Sequence, residues 1–152
     1  MKKVLLILTA AMLMASCGSS RLYYWGSNPN FDKGTSDYEK ASYKYYDKQS
    51  PESLCDLLCV YEDMVSNPGG TRGVVPPGIC AEYGYLLLQP QTATVFYENA
   101  SNRQKRKMES SEYGSDFRTK GIAMLEMEIQ LYPESAVFVA PLLKKLKENG
   151  GK

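Results

Sequence analysis

Cys17 is the residue whose type and setting point most directly to a chemistry. It follows Leu13-Met14-Ala15-Ser16, and ahead of those lie Met1-Lys2-Lys3 and an apolar run from Val4 to Ala15. Two lysines, a short apolar segment and small residues beside a cysteine are the parts of a bacterial secretory signal. The run covers 12 residues, whereas a membrane-crossing helix needs about 20, so it reads as a leader and not as a lasting anchor. Ala15 and Ser16 would admit a peptidase beside the cut. Met14 stands where Leu, Val or Ile is usual, with Leu13 one step further back. The expected outcome is cleavage before Cys17 and lipidation of that cysteine. The competing outcome is ordinary cleavage that leaves a plain thiol. Several acyl chains hold a protein on a membrane persistently where one does so weakly. Gly18 follows the cysteine, with no Asp to argue for the inner membrane, so the expected address is the periplasmic leaflet of the outer membrane.

Three cysteines remain, Cys55, Cys59 and Cys80. Cys55 and Cys59 stand four apart on an expected helix, where the rise of about 6 Å would strain a bond between them. Cys80 could pair with either, or all three could be small core residues. There is no histidine, which removes the commonest metal ligand and general base, and any Ser-His-Asp or Cys-His site within this chain. No catalytic, metal or cofactor site is expected. An enzymatic alternative, a cell-wall-acting hydrolase using two carboxylates, would draw on Glu62, Asp63, Glu126 or Glu128. Acidic pairs on helices usually face solvent, and that is the expectation here.

The whole chain has 18 basic and 17 acidic residues; without Lys2 and Lys3 the balance is 16 against 17, near −1. Such a chain exerts no long-range pull on nucleic acid. The candidates for binding a protein partner are aromatic and basic. Tyr45, Tyr46, Tyr83 and Tyr85 are potential anchors, although tyrosines at helical spacing more often belong to a core. Arg103, Lys105, Arg106 and Lys107 form the one basic run, read either as a solvated face or as a dock for anionic lipid or an acidic partner.

The elements that must position these residues read as helices throughout. Residues 1–16 are the expected signal peptide, 17–34 a tether with the aromatic cluster Leu22-Tyr23-Tyr24-Trp25-Gly26, and 35–149 one helical domain. The aromatic cluster is expected to fold back onto that domain, with a headgroup contact as the alternative. Ser36-Asp37-Tyr38-Glu39 is a capping box. Ser50-Pro51 opens a second helix, whose Leu54, Leu57, Leu58, Tyr61, Met64 and Val65 make the cleanest apolar stripe. Pro76-Pro77 leads into a third helix through Leu88. Residues 92–109 read as a single polar helix. A fifth, from about Ser115, carries Phe117, Ile122, Leu125, Ile129 and Tyr132. The last begins at Pro133-Glu134-Ser135, with Phe138, Leu142 and Leu146 inward and Pro141 bending it or near its first turns. No alternating run is long enough for a strand. Helices one and two form one antiparallel pair, and three and five a second. Gly84, Leu125 and Pro133 then fall where a tetratricopeptide repeat places its small residue, large apolar residue and terminal proline, with residues 90–114 inserted. The expected fold is all-α: a tetratricopeptide-like array of antiparallel helix pairs, five or six helices with a C-terminal capping helix, the alternative being ordinary helical hairpins in a bundle.

Three stretches carry a family resemblance: Leu22-Tyr23-Tyr24-Trp25-Gly26, Val74-Val75-Pro76-Pro77-Gly78-Ile79-Cys80-Ala81-Glu82-Tyr83-Gly84-Tyr85-Leu86, and Leu131-Tyr132-Pro133-Glu134-Ser135-Ala136-Val137-Phe138 with Leu142-Leu143-Lys144-Lys145-Leu146. Together they resemble the bacterial lipoproteins of domain-of-unknown-function family 4810. The long stretch from Pro90 to Gly114, and Pro141 inside the last helix, depart from its shorter members. The resemblance implies a small tetratricopeptide-like lipoprotein that keeps company with lipoproteins similar to the curli secretion channel (the CsgG type), and no established activity. The function expected is a lipid-anchored helical adaptor that binds a protein partner in a cell-envelope or secretion complex. It touches the membrane through Cys17 and needs no nucleic acid, cofactor or small-molecule substrate. The alternative is a cell-wall-acting enzyme or a regulator of a cell-wall synthase.

Overall fold

The computed structural model describes residues 21–26, 36–110 and 112–149. The expected signal peptide 1–16 and Cys17 lie outside the described residues. Within them the protein is all-α: α1 (Asp37–Lys48), α2 (Pro51–Ser66), α3 (Ile79–Leu87), α4 (Thr92–Asn99), α5 (Asn102–Met108), α6 (Tyr113–Leu131) and α7 (Ala136–Asn149), with a 3-10 turn at Pro133–Ser135.

Local chemistry sets the first two boundaries. The Ser36 hydroxyl accepts from the Glu39 N–H at 3.1 Å while the Ser36 N–H donates to the Glu39 carboxylate at 2.8 Å, so the capping box starts α1 as the sequence implied. Gln49 ends it in the left-handed region at φ 47°. Ser50 caps α2 and Pro51 occupies its first turn. α2 is the core helix. Leu57, Leu58, Tyr61 and Met64 have no exposed surface, and α1, α3, α4 and α5 all pack on it.

The helices pair as α1–α2 and, across the intervening α4 and α5, α3–α6, an array of antiparallel helix pairs in which α3 and α6 pack most extensively. Their crossing is closed by two glycines. A Cβ on Gly84 would meet the Gly121 carbonyl oxygen at 2.7 Å, and one on Gly121 would meet Leu88 Cγ at 2.6 Å. Gly84 therefore stands at a close crossing, as its place in the second pair implied. Gly84→Ala is expected to destabilise by about 1–3 kcal/mol, because backbone and not a flexible side chain must give way. Gly114 lies in the same helix α6 with nothing within 4 Å of a Cβ. Gly114→Ala should stabilise by up to about 1 kcal/mol through helix propensity alone. Urea unfolding of the two variants should give shifts of opposite sign; shifts of the same sign would contradict the crossing.

In its helices the structure departs from the sequence reading in two places. Residues 92–109 are two helices and not one, which raises the helix count among the described residues to seven. The break has a cause: Ser101 and Gln104 form a second capping box, with the Ser101 hydroxyl accepting from the Gln104 N–H at 3.4 Å and its N–H donating to Gln104 at 2.8 Å. This stretch also closes the core. Phe96, fully buried, meets Tyr113 and Phe117 at centroid distances of 5.4 and 5.5 Å, and Met108 is buried as well. The second departure is Phe138, which points outward and is 82% exposed. The inward stripe of α7 starts at Val139 and continues through half-buried Leu142, Leu143 and Leu146. Pro141 sits inside α7, within its second turn.

The segment before α1 folds back onto the domain. Trp25 meets Tyr38 at 5.5 Å between ring centroids, and its carbonyl accepts from the Tyr38 N–H at 3.3 Å. Tyr24 donates to Asp63 at 2.7 Å. The N–H groups of Thr71 and Arg72 donate to the carbonyls of Arg21 and Leu22.

Candidate partner-binding surfaces

Three of the four candidate tyrosines share one surface. Tyr45 and Tyr46, in the last turns of α1, meet edge to face with centroids 5.3 Å apart. Tyr46 is 59% and Tyr85 53% exposed. Tyr85 lies on α3 one turn from Glu82, which the Tyr38 hydroxyl of α1 reaches at 2.8 Å. Partial burial, then the charges of Glu82, Tyr45 and Tyr85, raise the pKa of the Tyr46 hydroxyl. The surface therefore spans the first helix of each pair. Beside it Tyr45, Pro51, Leu54, Gln89, Pro90 and Val95 line a groove of about 510 Å³. Tyr43, 70% exposed, escaped the sequence reading because it lies off the apolar spacing of α1.

Tyr83 is corrected. It has no exposed surface, stacks on Tyr61 at 5.5 Å and donates its hydroxyl to Glu62. Two residues from Tyr85 on one helix, it points nearly the opposite way. It is a core residue and cannot serve as an exposed anchor.

The basic run does not act as one patch. Arg103 and Lys107, one turn apart, line a groove with α1 and α2. Lys107 pairs with Asp63 at 3.2 Å. Lys105 lies over the Tyr97 ring at 4.9 Å, and Arg106 is exposed.

The carboxylates overturn the expectation that acidic pairs face solvent. Glu62 is 7% and Glu128 2% exposed. Glu62 accepts from Tyr83, from Lys120 Nζ and from the Ser66 hydroxyl. Glu128 reaches from α6 to the start of α3, where no side chain of α3's own caps the helix. Its two oxygens accept from the Gly78 N–H at 2.9 Å and the Ala81 N–H at 3.3 Å. A buried anion there satisfies orphan N–H groups and meets the positive end of the helix dipole. Glu82 accepts from Tyr38 at 2.8 Å and Tyr61 at 2.6 Å, joining α1, α2 and α3. Asp63 and Glu126 are in ion pairs with Lys107 and Lys147. All these oxygens hold helices together.

Cys55, Cys59 and Cys80 are free and buried, so the core-residue reading holds over either pairing. Burial pushes the Cys55 thiol up to about 11 and those of Cys59 and Cys80 up to about 12, which makes them poor nucleophiles.

The buried phenols give a pH prediction. Burial, aided by Glu82 at Tyr61 and Glu62 at Tyr83, raises both hydroxyls above the ordinary tyrosine value. The folded state then binds the phenolic proton more tightly than the unfolded chain. The stability this adds is complete below the unfolded pKa of about 10 and is lost as pH rises above it. In an alkaline titration the exposed members of the twelve tyrosines should ionise first without loss of helical circular dichroism. Tyr61 and Tyr83 should ionise only together with unfolding. Ionisation of every tyrosine in one step with the helix signal intact would contradict the burial.

No helix among the described residues is long and apolar enough to cross a membrane. Compared with known proteins, the chain matches no protein-family model, no curated protein and no solved structure.

Proposed function

We propose that this protein is a lipid-anchored helical adaptor, held by an acylated Cys17 on the periplasmic leaflet of the outer membrane, that binds a protein partner of a cell-envelope or secretion complex and catalyses nothing. The observation that carries the reading is the pair of exposed tyrosines Tyr46 and Tyr85, on the first helix of each pair, with half-buried Tyr45 packed edge to face on Tyr46. Exposed tyrosine supplies large contact area at low entropic cost, and paired-helix arrays commonly present such a surface to a peptide or helix. The leader with Cys17, and the resemblance to family 4810 with its CsgG-type neighbours, support the address and the kind of partner.

Two measurements test the reading separately. Metabolic labelling with an acyl precursor should mark the wild type and not Cys17→Ser, which should persist as uncleaved precursor. An unmodified, normally processed wild type would refute the anchor. Purification under mild detergent should retain a discrete envelope protein, and Tyr46→Ala/Tyr85→Ala should lose it by about tenfold or more, as for two anchor residues. Equal recovery by the variant would refute the tyrosine surface.

A further inference from the structure

We propose that a second surface, the groove between α1 and α5 with α2 as its floor, docks an acidic amphipathic segment of a protein. This goes beyond the tyrosine surface, which lies elsewhere on α1. The groove is open and holds about 600 Å³. Its rims carry Lys40 and Lys44 from α1 and Arg103 and Lys107 from α5, and its floor includes Ala41, Cys59 and Val60. The aspartates that line it cancel only part of that charge. Both Asp56 oxygens are engaged, one by Lys44 Nζ at 2.7 Å and the other by Gln104 Nε2 at 3.0 Å. Asp37 opens α1, where the helix dipole suits a negative charge. Lys40 and Arg103 make no ion pair among the described residues. With Lys44 paired to Asp56 and Lys107 to Asp63, Lys40 and Arg103 remain as unpaired cations, one on each wall, against Asp37 alone, a balance of +1.

The wall is built in advance. The Gln104 bond to Asp56, the capping box at Ser101 and the burial of Met108 hold α5 against α2, so binding need not order it. Cationic rims over an apolar floor match a segment with an apolar row flanked by carboxylates, the helix-in-groove mode of recognition. The buried Ala41 and Cys59 with Val60 give the groove an apolar floor that a lipid phosphate does not use, so the occupant is a peptide segment and not a lipid headgroup.

The test uses the full chain in mild detergent and a fluorescein-labelled synthetic helix with leucines along one face and glutamates beside them. A twin peptide carries glutamine for every glutamate. Fluorescence anisotropy should show the acidic peptide binding at least about tenfold more tightly than its twin, and more weakly as salt is raised. Lys40→Glu/Arg103→Glu should weaken it by about tenfold or more, with circular dichroism unchanged. Lys145→Glu, an exposed change of the same sign on α7, should leave it unaltered. Equal affinity for the two peptides would overturn the proposal, as would an equal loss in Lys145→Glu. So would capture by phosphatidylglycerol vesicles through Lys40 and Arg103 without peptide binding. The titration omits the envelope partner, so its failure is distinct from failure of the tyrosine surface.

Discussion

Leu58→Ala should cost the fold about 2–5 kcal/mol, a large part of the total stability of about 5–15 kcal/mol that such a domain commands. Leu58 has no exposed surface and lies midway along α2, the helix on which four others pack. Truncation removes three carbons from contact and leaves a void that helices pinned on several sides cannot collapse to fill. Those pins are concrete. Glu82 ties α1 and α2 to α3, Glu62 ties α2 to α3 and α6, and Gln104 ties α5 to α2. The cost should therefore fall in the upper half of the range. Urea unfolding followed by circular dichroism measures it. A change below about 0.5 kcal/mol would mean that α2 does not present this face to the core.

The stripe that singles out Leu58 was legible because large apolar residues recur at steps of three and four, Leu54, Leu57, Leu58, Tyr61, Met64 and Val65, and lie on one helix face. Where a run lacks phase, the sequence could not choose. Ala136-Val137-Phe138-Val139 is apolar throughout, so nothing local says which residue turns inward. The packing of α7 on α6 decides it, helped by Arg118 donating to the Leu146 carbonyl at 3.0 Å and Lys147 pairing with Glu126 at 2.6 Å, and Val139 takes the place expected for Phe138. The break at Ala100-Ser101 was legible in principle, since Ser101 and Gln104 carry the same capping pattern as Ser36 and Glu39, but a run of polar helix formers masked it. Gly84 was found from its place in a repeat, whereas Gly121 had no motif and is explained only by the backbone it meets. The buried carboxylates were hidden for a different reason. The rule that Glu faces water assumes no partner, and their partners are remote in sequence: Lys120 lies 58 residues from Glu62, and the N–H groups that Glu128 caps lie 50 and 47 residues away. Of the candidate binding set, Tyr45, Tyr46 and Tyr85 came together and Tyr83 did not, because Glu62 gives its hydroxyl a partner inside.

Lys120→Met should destabilise the protein by about 3 kcal/mol, through the charge it strands and not the contact it removes. Lys120 Nζ pairs with a Glu62 whose side chain is 10% exposed, while the lysine's own is 31% exposed. One-sided removal from a buried pair costs about 3–5 kcal/mol, and the lysine's partial exposure argues for the lower end. Without Lys120, Glu62 keeps the Tyr83 and Ser66 hydroxyls as donors. Two hydroxyls do not neutralise a carboxylate that is shut away from water. Glu62→Gln removes the charge but keeps an acceptor for Tyr83, so Glu62→Gln/Lys120→Met should be more stable than Lys120→Met alone. Such a sign reversal within a double-mutant cycle is the mark of a buried charge and not of lost packing, because the double variant has lost at least as many contacts. Urea unfolding of the wild type, both single variants and the double variant measures it. A loss below about 1 kcal/mol in Lys120→Met would mark the pair as an ordinary surface ion pair. A double variant less stable than Lys120→Met would show that shape, and not charge, holds α2, α3 and α6 together at this point.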